Sequence, residues 1–151
     1  MAKKRGKRYQ TQWAGQYGVA HELTLRGYLV ALTVGNAPIT DLLCQSPEGT
    51  LFSIEVKSLS SKTYFLFQDS LLERKPDRYV VFVLLPRSPS ERPEYYVLSN
   101  EQFLKVAEEQ KRRDREAEKR RGKPYAAFSR GINYSTLSDS DCRDAWHVLP
   151  N

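Results

Sequence analysis

The stretch from Asp41 to Lys57 constrains this chain most tightly, because its turn fixes a strand register. Asp41-Leu-Leu-Cys-Gln-Ser46 and Thr50-Leu-Phe-Ser-Ile-Glu-Val-Lys57 read as two strands joined by Pro47-Glu48-Gly49. Pro47 suits the first central position of a type I turn. Gly49 suits the left-handed position that closes a three-residue hairpin loop. Ser46 then faces Thr50, and counting outward pairs Asp41 with Glu55. Leu42, Cys44, Phe52, Ile54 and Val56 fall on one face, and Asp41, Gln45, Ser53, Glu55 and Lys57 on the other. A slip of one residue would bury charge, so the pairing is well specified.

Directly opposed side chains on one sheet face have β-carbons roughly 5 Å apart. Asp41 and Glu55 thus share one small volume, with Lys57 two residues along. Two like charges so placed are unfavourable unless something neutralises them, and a hard divalent cation such as magnesium is the usual partner of clustered acidic oxygens. A plainer reading uses the same residues: Glu55 and Lys57 as a surface ion pair worth little, and Asp41 as a loop-edge residue with a satisfied backbone bond.

A chain of 151 residues with 40% hydrophobic content is sized for one domain with a real core. Residues 1–10 read as a basic flexible arm and 11–151 as a single domain. The longest apolar run, 79–85, is strand-sized, so no membrane span is expected, and the basic N-terminus lacks the apolar segment of a signal peptide. Cys44 and Cys142 have no metal-ligand spacing and are expected to be reduced, in a cytoplasmic protein. The net charge of +6 is unevenly spread. One cluster holds Lys3, Lys4, Arg5, Lys7 and Arg8; the other holds Lys111, Arg112, Arg113, Arg115, Arg120, Arg121 and Lys123. Such clusters supply salt-dependent attraction to nucleic-acid backbones. The second also reads as a solvated helix with spaced opposite charges, such as Glu116 with Arg120. Beside a carboxylate pair, the basic clusters make nucleic acid the leading partner.

A helix is predicted over 11–26, with Tyr17, Ala20, Leu23 and Thr24 on its inner stripe and Gly27 as its stop. Gly15 and Gly18 cost a helix roughly 1 kcal/mol each against Ala, which implies close packing on a sheet. Strands are expected at 28–34, in the hairpin, and at 63–67, 79–85 and 94–98, with 79–85 as the central one. A short helix fits 68–75. Ser99 or Asn100 caps a long helix ending by Gly122, followed by a loop over 123–134. Ser138 to Asp141 resembles a helix start, with Ala145, Trp146 and Leu149 pinning that segment to the body. This order gives an α/β fold, a mixed β-sheet flanked by helices with an αβββαβ core. Glu22, one turn after Gly18, either leans over the hairpin as a third carboxylate or faces solvent. His21 and His147 lack zinc spacing. Tyr125, Phe128 and Tyr134 are read as loop anchors in preference to base-stacking groups.

The ordered set of Glu22 on the first helix, Asp41 opening one strand and Glu55-Val56-Lys57 on the next resembles the PD-(D/E)xK nuclease superfamily. The flanking Gly18-Val-Ala-His-Glu-Leu-Thr-Leu-Arg-Gly-Tyr-Leu-Val30 is similar to the leading helix and strand of Holliday-junction resolvases and restriction-endonuclease-like proteins. The likeness covers about residues 16–58. It departs from the pattern at Pro38-Ile39-Thr40-Asp41, where proline and aspartate would be adjacent. The resemblance implies a restriction-endonuclease-like fold and a metal-dependent DNA endonuclease. The substrate would be duplex or branched DNA, with RNA left open, cut to 5′-phosphate and 3′-hydroxyl ends. The implied catalytic residues are Glu22, Asp41, Glu55 and Lys57. Asp41, Glu55 and the Val56 carbonyl would hold Mg2+, for which Mn2+ substitutes, and Lys57 would orient water or stabilise charge on the phosphate. A homodimer follows from the need to cut two strands. The alternative is a nucleic-acid-binding or assembly module that keeps the fold without cutting.

Overall fold

The computed structural model describes residues 2–34, 40–125 and 131–151, with residues 2–6 described by backbone alone. Helix α1 (Ala2–Leu25) precedes strands β1 (Leu29–Leu32), β2 (Leu42–Gln45), β3 (Leu51–Leu59) and β4 (Tyr64–Leu66). A single 3₁₀ turn (Asp69–Leu72) leads to β5 (Arg78–Leu84), β6 (Glu94–Ser99), α2 (Asn100–Arg121), β7 (Gly131–Asn133) and α3 (Tyr134–Ser138). Five strands form one sheet in the order β1-β2-β3-β5-β6, and β4 pairs with β7 apart from it. Only the β3–β5 neighbours of that sheet run parallel. The sheet is therefore mixed and flanked by helices, as the element order predicts. The central strand is β3, however, and not the more apolar β5.

The hairpin forms in the register its turn dictates. Ser46 N–H donates to Thr50 O at 2.8 Å and Gly49 N–H to Ser46 O at 2.9 Å. Gly49 takes a φ of +95°, a conformation that glycine alone adopts without strain. Leu42 pairs with Ile54 and Cys44 with Phe52.

Two hydrophobic cores cover opposite faces. Leu42, Cys44, Phe52, Ile54, Val56, Val81 and Val83 pack against Val19 and Leu23 of α1 and against Ala145, Trp146 and Leu149. On the reverse face Val80, Phe82, Tyr96 and Leu98 meet Phe103 and Ala107 of α2, Phe65 and Ile132 of the small sheet, and Leu137 of α3. That second layer stops at β3. Beyond it, Leu29, Leu43 and Leu51 stay exposed.

Several expectations are corrected. Helix α1 begins at Ala2, so residues assigned to a flexible arm extend the first helix. Its inner stripe is Gly15, Gln16, Val19 and Leu23, whereas Tyr17 and Thr24 face outward. The segment 123–134 contains β7, and Ser138 ends a helix instead of starting one. Trp146–Val148 forms a 3₁₀ turn, which still anchors its apolar residues to the first core. Helix α2 follows the sequence closely: Ser99 and Gln102 form a capping box, and Gly122 ends it in the left-handed conformation.

Close approach explains the helix glycines. A β-carbon on Gly15 would meet Ser58 Oγ at 1.7 Å and Ser58 Cβ at 2.8 Å, and one on Gly18 would meet the Tyr95 hydroxyl at 2.7 Å. Helix α1 thus crosses the sheet from β3 towards β6. Gly15→Ala is expected to destabilise the protein by about 1–3 kcal/mol in urea titration, despite alanine's better helix propensity. Combined with Ser58→Gly, it should cost less than the two single changes added together. Additive losses would show that the helix does not rest on β3 there.

Candidate active site

Asp41 stands at the mouth of the hairpin, where three elements fix it. Its N–H donates to Ile54 O at 3.1 Å, and its carbonyl accepts from Thr33 N–H at 3.0 Å. Its carboxylate accepts from Gln16 Nε2 at 2.6 Å and from the Val56 N–H at 2.8 Å. Helix α1, β1 and β3 therefore aim one side chain jointly, and its rotamer is locked.

Glu55 and Lys57 lie on the second face of β3, beside Val80 and Phe82 of β5. The ladder ends at Leu42 and Ile54, and just beyond it Asp41 lines the same cleft as Glu55 and feels its charge. Lys57 Nζ donates to Glu55 Oε1 at 2.6 Å, with the Glu55 side chain only 11% exposed. The ion pair of the plainer reading is present, although part-buried instead of exposed, and Asp41 is satisfied by a backbone bond as that reading has it.

These groups line an open cleft of about 910 Å³ at the end of the sheet where β3 outruns the hairpin. One wall is α1, contributing Lys7, Arg8, Trp13 and Gln16. The other is the segment after β3 together with Tyr64 and Leu66 of β4.

The electrostatics are unbalanced. Burial, and next the charge of Glu55, push the Asp41 carboxyl up to about 6, against the opposing pull of the Val56 N–H and of Lys57. One ammonium does not neutralise two carboxylates. Hard oxygen ligands with surplus negative charge match magnesium, which is commonly held by one or two carboxylates and keeps several waters. The donor set fits such an ion as a two-carboxylate site. Among the described residues, no three His, Cys, Asp or Glu side chains gather at one point.

Glu22 does not join them. It pairs with Arg26 at 2.7 Å and with Arg92 at 3.3 Å, and Arg92 also holds Asp144 at 3.0 Å. Six residues separate it from Gln16, about 600° of helical rotation, which turns it away from the hairpin. Gln16, only 3% exposed, occupies the place expected of that third acid. Its sequence signal was its position among Gly15, Val19 and Leu23 on the buried stripe. Val56 meets Asp41 through its N–H rather than its carbonyl.

Sequence reasoning also missed Arg78, paired with Ser53 one step from Glu55 on the same face and 2% exposed. Its Nη2 donates to the carbonyls of Leu71 and Glu73, both at 2.8 Å, while Nε and Nη1 are buried without partners. Burial lowers its pKa, against the charges of Glu73, Glu55 and Asp77. Arg78 heads an apolar strand, and that position gave no hint of burial.

The basic clusters separate in space. Lys7 and Arg8 line the cleft, and the side chains of Lys3, Lys4 and Arg5 lie outside the described residues. Lys111, Arg112, Arg113, Arg115, Arg120, Arg121 and Lys123 do not line it among the described residues. Arg112 and Arg113 are engaged by Glu109, with Glu116 and Asp139 as further partners. Arg121 lies over the Tyr125 ring at 4.6 Å. Tyr134 bonds Glu94 at 2.9 Å and anchors its segment as expected, whereas Phe128, like Pro38, falls outside the described residues. Both cysteines are free and buried. No helix among the described residues is long and apolar enough to cross a membrane. The chain matches no protein-family model, no curated protein and no solved structure.

The Asp41 environment makes a pH prediction for the metal-free protein. Its folded pKa of about 6 lies above the unfolded value, so the folded chain binds the extra proton between about pH 4 and pH 6. Stability from this group is present at low pH and lost as pH rises through that window. The size is on the order of 1–2 kcal/mol once partial solvent access is allowed for. Asp41→Asn should therefore gain stability relative to wild type between pH 4 and pH 7.5 in thermal melts with chelator. A constant difference between the two proteins would contradict the assignment.

Proposed function

We propose that this protein is a metal-dependent endonuclease acting on DNA, built on a restriction-endonuclease-like fold. The observation carrying the proposal is the juxtaposition of Asp41 and Glu55, with Lys57 bonded to Glu55 at 2.6 Å, in an open cleft that Lys7 and Arg8 also line. The motif resemblance over residues 16–58 supports the same reading. Two carboxylates in the cleft add nothing to the attraction of a polyanion, so a site that serves only to bind nucleic acid gains nothing from them. A site that takes up magnesium turns them into an attraction.

Asp41 and Glu55 would hold the ion beside the main chain at Val56. Magnesium bound there would polarise the scissile phosphate and make a nearby water a stronger nucleophile. The protein's own groups do the rest. Gln16 and the Val56 N–H hold Asp41 in one orientation, so no rotamer has to be fixed when substrate arrives. Lys57 is a compact charge on the rim of the same pair, suited to steady the attacking water or the charge that develops on the phosphate oxygens. Lys7 and Arg8 supply contacts for the backbone on either side of the cut. Arg78, buried behind Glu55, offsets part of that carboxylate's charge from below. Mn2+ is expected to replace Mg2+, because both take oxygen ligands.

Cleavage of supercoiled plasmid and of a four-way DNA junction tests the proposal. Wild type should nick in Mg2+ or Mn2+ and stop in chelator. Lys57→Ala should lose about 10²–10³-fold in rate, the usual cost of one transition-state-stabilising group. It should still bind DNA. Equal cutting by both proteins would remove the proposed chemistry from this site, and binding without cutting in any metal would leave the non-catalytic module as the account.

A further inference from the structure

Helix α1 carries three aromatic side chains at a spacing of four residues, Tyr9, Trp13 and Tyr17, which places them on one side of the helix. They are not core residues. Tyr9 is 62%, Trp13 36% and Tyr17 58% exposed, while the buried stripe runs through Gly15, Gln16, Val19 and Leu23. Trp13 and Tyr17 stack on each other with ring centroids 5.5 Å apart and planes 26° from parallel. A stacked pair on a helix surface holds its rings rigidly without help from the core. Trp13 also lines the cleft that contains Asp41, Glu55 and Lys57, and Tyr64, 39% exposed, lines it from β4. Lys7 and Arg8 border the same space one to two turns before Trp13.

Flat π-faces interleaved with cations suit an unpaired nucleic-acid strand, whose bases stack while its phosphates are neutralised. Duplex DNA hides its base faces and offers the platform only its charged exterior. We propose that Trp13, supported by Tyr17 and with Tyr64 lining the same cleft, is a stacking platform for an unpaired strand entering the cleft. The site would then prefer single-stranded or branched DNA to blunt duplex. The inference deepens the nuclease reading, since it concerns the substrate of that same cleft.

Tryptophan emission reports on the platform directly. The chain has two tryptophans, and Trp146 is 7% exposed and packed on Tyr95 at 5.4 Å. Quenching by a bound strand therefore comes from Trp13. The probes are a ten-nucleotide poly-dT strand, an abasic strand of equal length and charge, and a blunt duplex, all in chelator so that nothing is cut. Wild type should be quenched by poly-dT and bind it at least about fivefold more tightly than the abasic strand, within the range set by one base stacking on an aromatic ring. Trp13→Ala should abolish that ratio, and Trp13→Phe, followed by fluorescence anisotropy of labelled strands, should keep most of it. Thermal melts of both variants serve as the folding control.

Equal binding of poly-dT and abasic strands by wild type, or a ratio unchanged in Trp13→Ala, would overturn the proposal. So would emission that follows protein concentration but ignores the oligonucleotide, which would mark the aromatic row as a contact between copies of the chain. Trp13-dependent binding of poly-dT in a protein that cuts nothing would keep the platform and remove the nuclease. Lys57-dependent cutting without base-dependent binding would do the reverse.

Discussion

The carboxylate of Asp41 is the fixed point of this structure. Gln16 from the first helix and the Val56 N–H from the central strand both donate to it, and its own main chain bonds β1 and β3. Three elements converge on one acid, and Glu55 lines the same cleft within reach of its charge. Burial, and next the charge of Glu55, raise the pKa of this carboxyl to about 6, against the opposing pull of the Val56 N–H and of Lys57. Such an arrangement is costly without a cation. A perturbed carboxyl in a cleft, beside a second acid, is what marks Asp41 as a candidate site residue.

The cleft exists because the two layers are of unequal width. Helix α1 and the C-terminal residues cover the first face of the sheet, whereas α2, α3 and the small sheet cover only the β5–β6 side of the second. Glu55 and Lys57 sit at that margin, on a strand buried enough to be rigid and near enough to solvent to meet a ligand. The contact of Gly15 with Ser58 lets α1 approach closely, so that Gln16 and Trp13 come to the same opening. Packing at one small residue thereby positions both the acid's partner and the cleft's aromatic wall.

The parts legible in the sequence were those governed by local rules. Pro47 and Gly49 specified the turn, the turn specified the register, and alternation specified which face held Glu55 and Lys57. The capping box at Ser99 and the stop at Gly122 were equally local. Placements that depend on how α1 rotates against the sheet were not legible. The apolar periodicity puts Tyr17 on the inner stripe and the motif resemblance puts Glu22 in the site, yet the glycine contacts turn the helix so that Gln16 faces the site and Glu22 faces Arg92. Arg78 was missed for a related reason: a parallel neighbour and a loop carbonyl, both distant in sequence, decide its burial. The basic block on α2 read correctly as a helix, but only its three-dimensional position shows that it stands away from the cleft.

Calorimetric titration with Mn2+ at pH 7.5 tests the central claim most directly. The account predicts uptake by wild type, with a marked loss of affinity in Asp41→Asn and in Glu55→Gln, and proton release that grows as the pH is lowered towards 6. Absence of binding at millimolar Mn2+, or equal binding by wild type and Asp41→Asn, would contradict it.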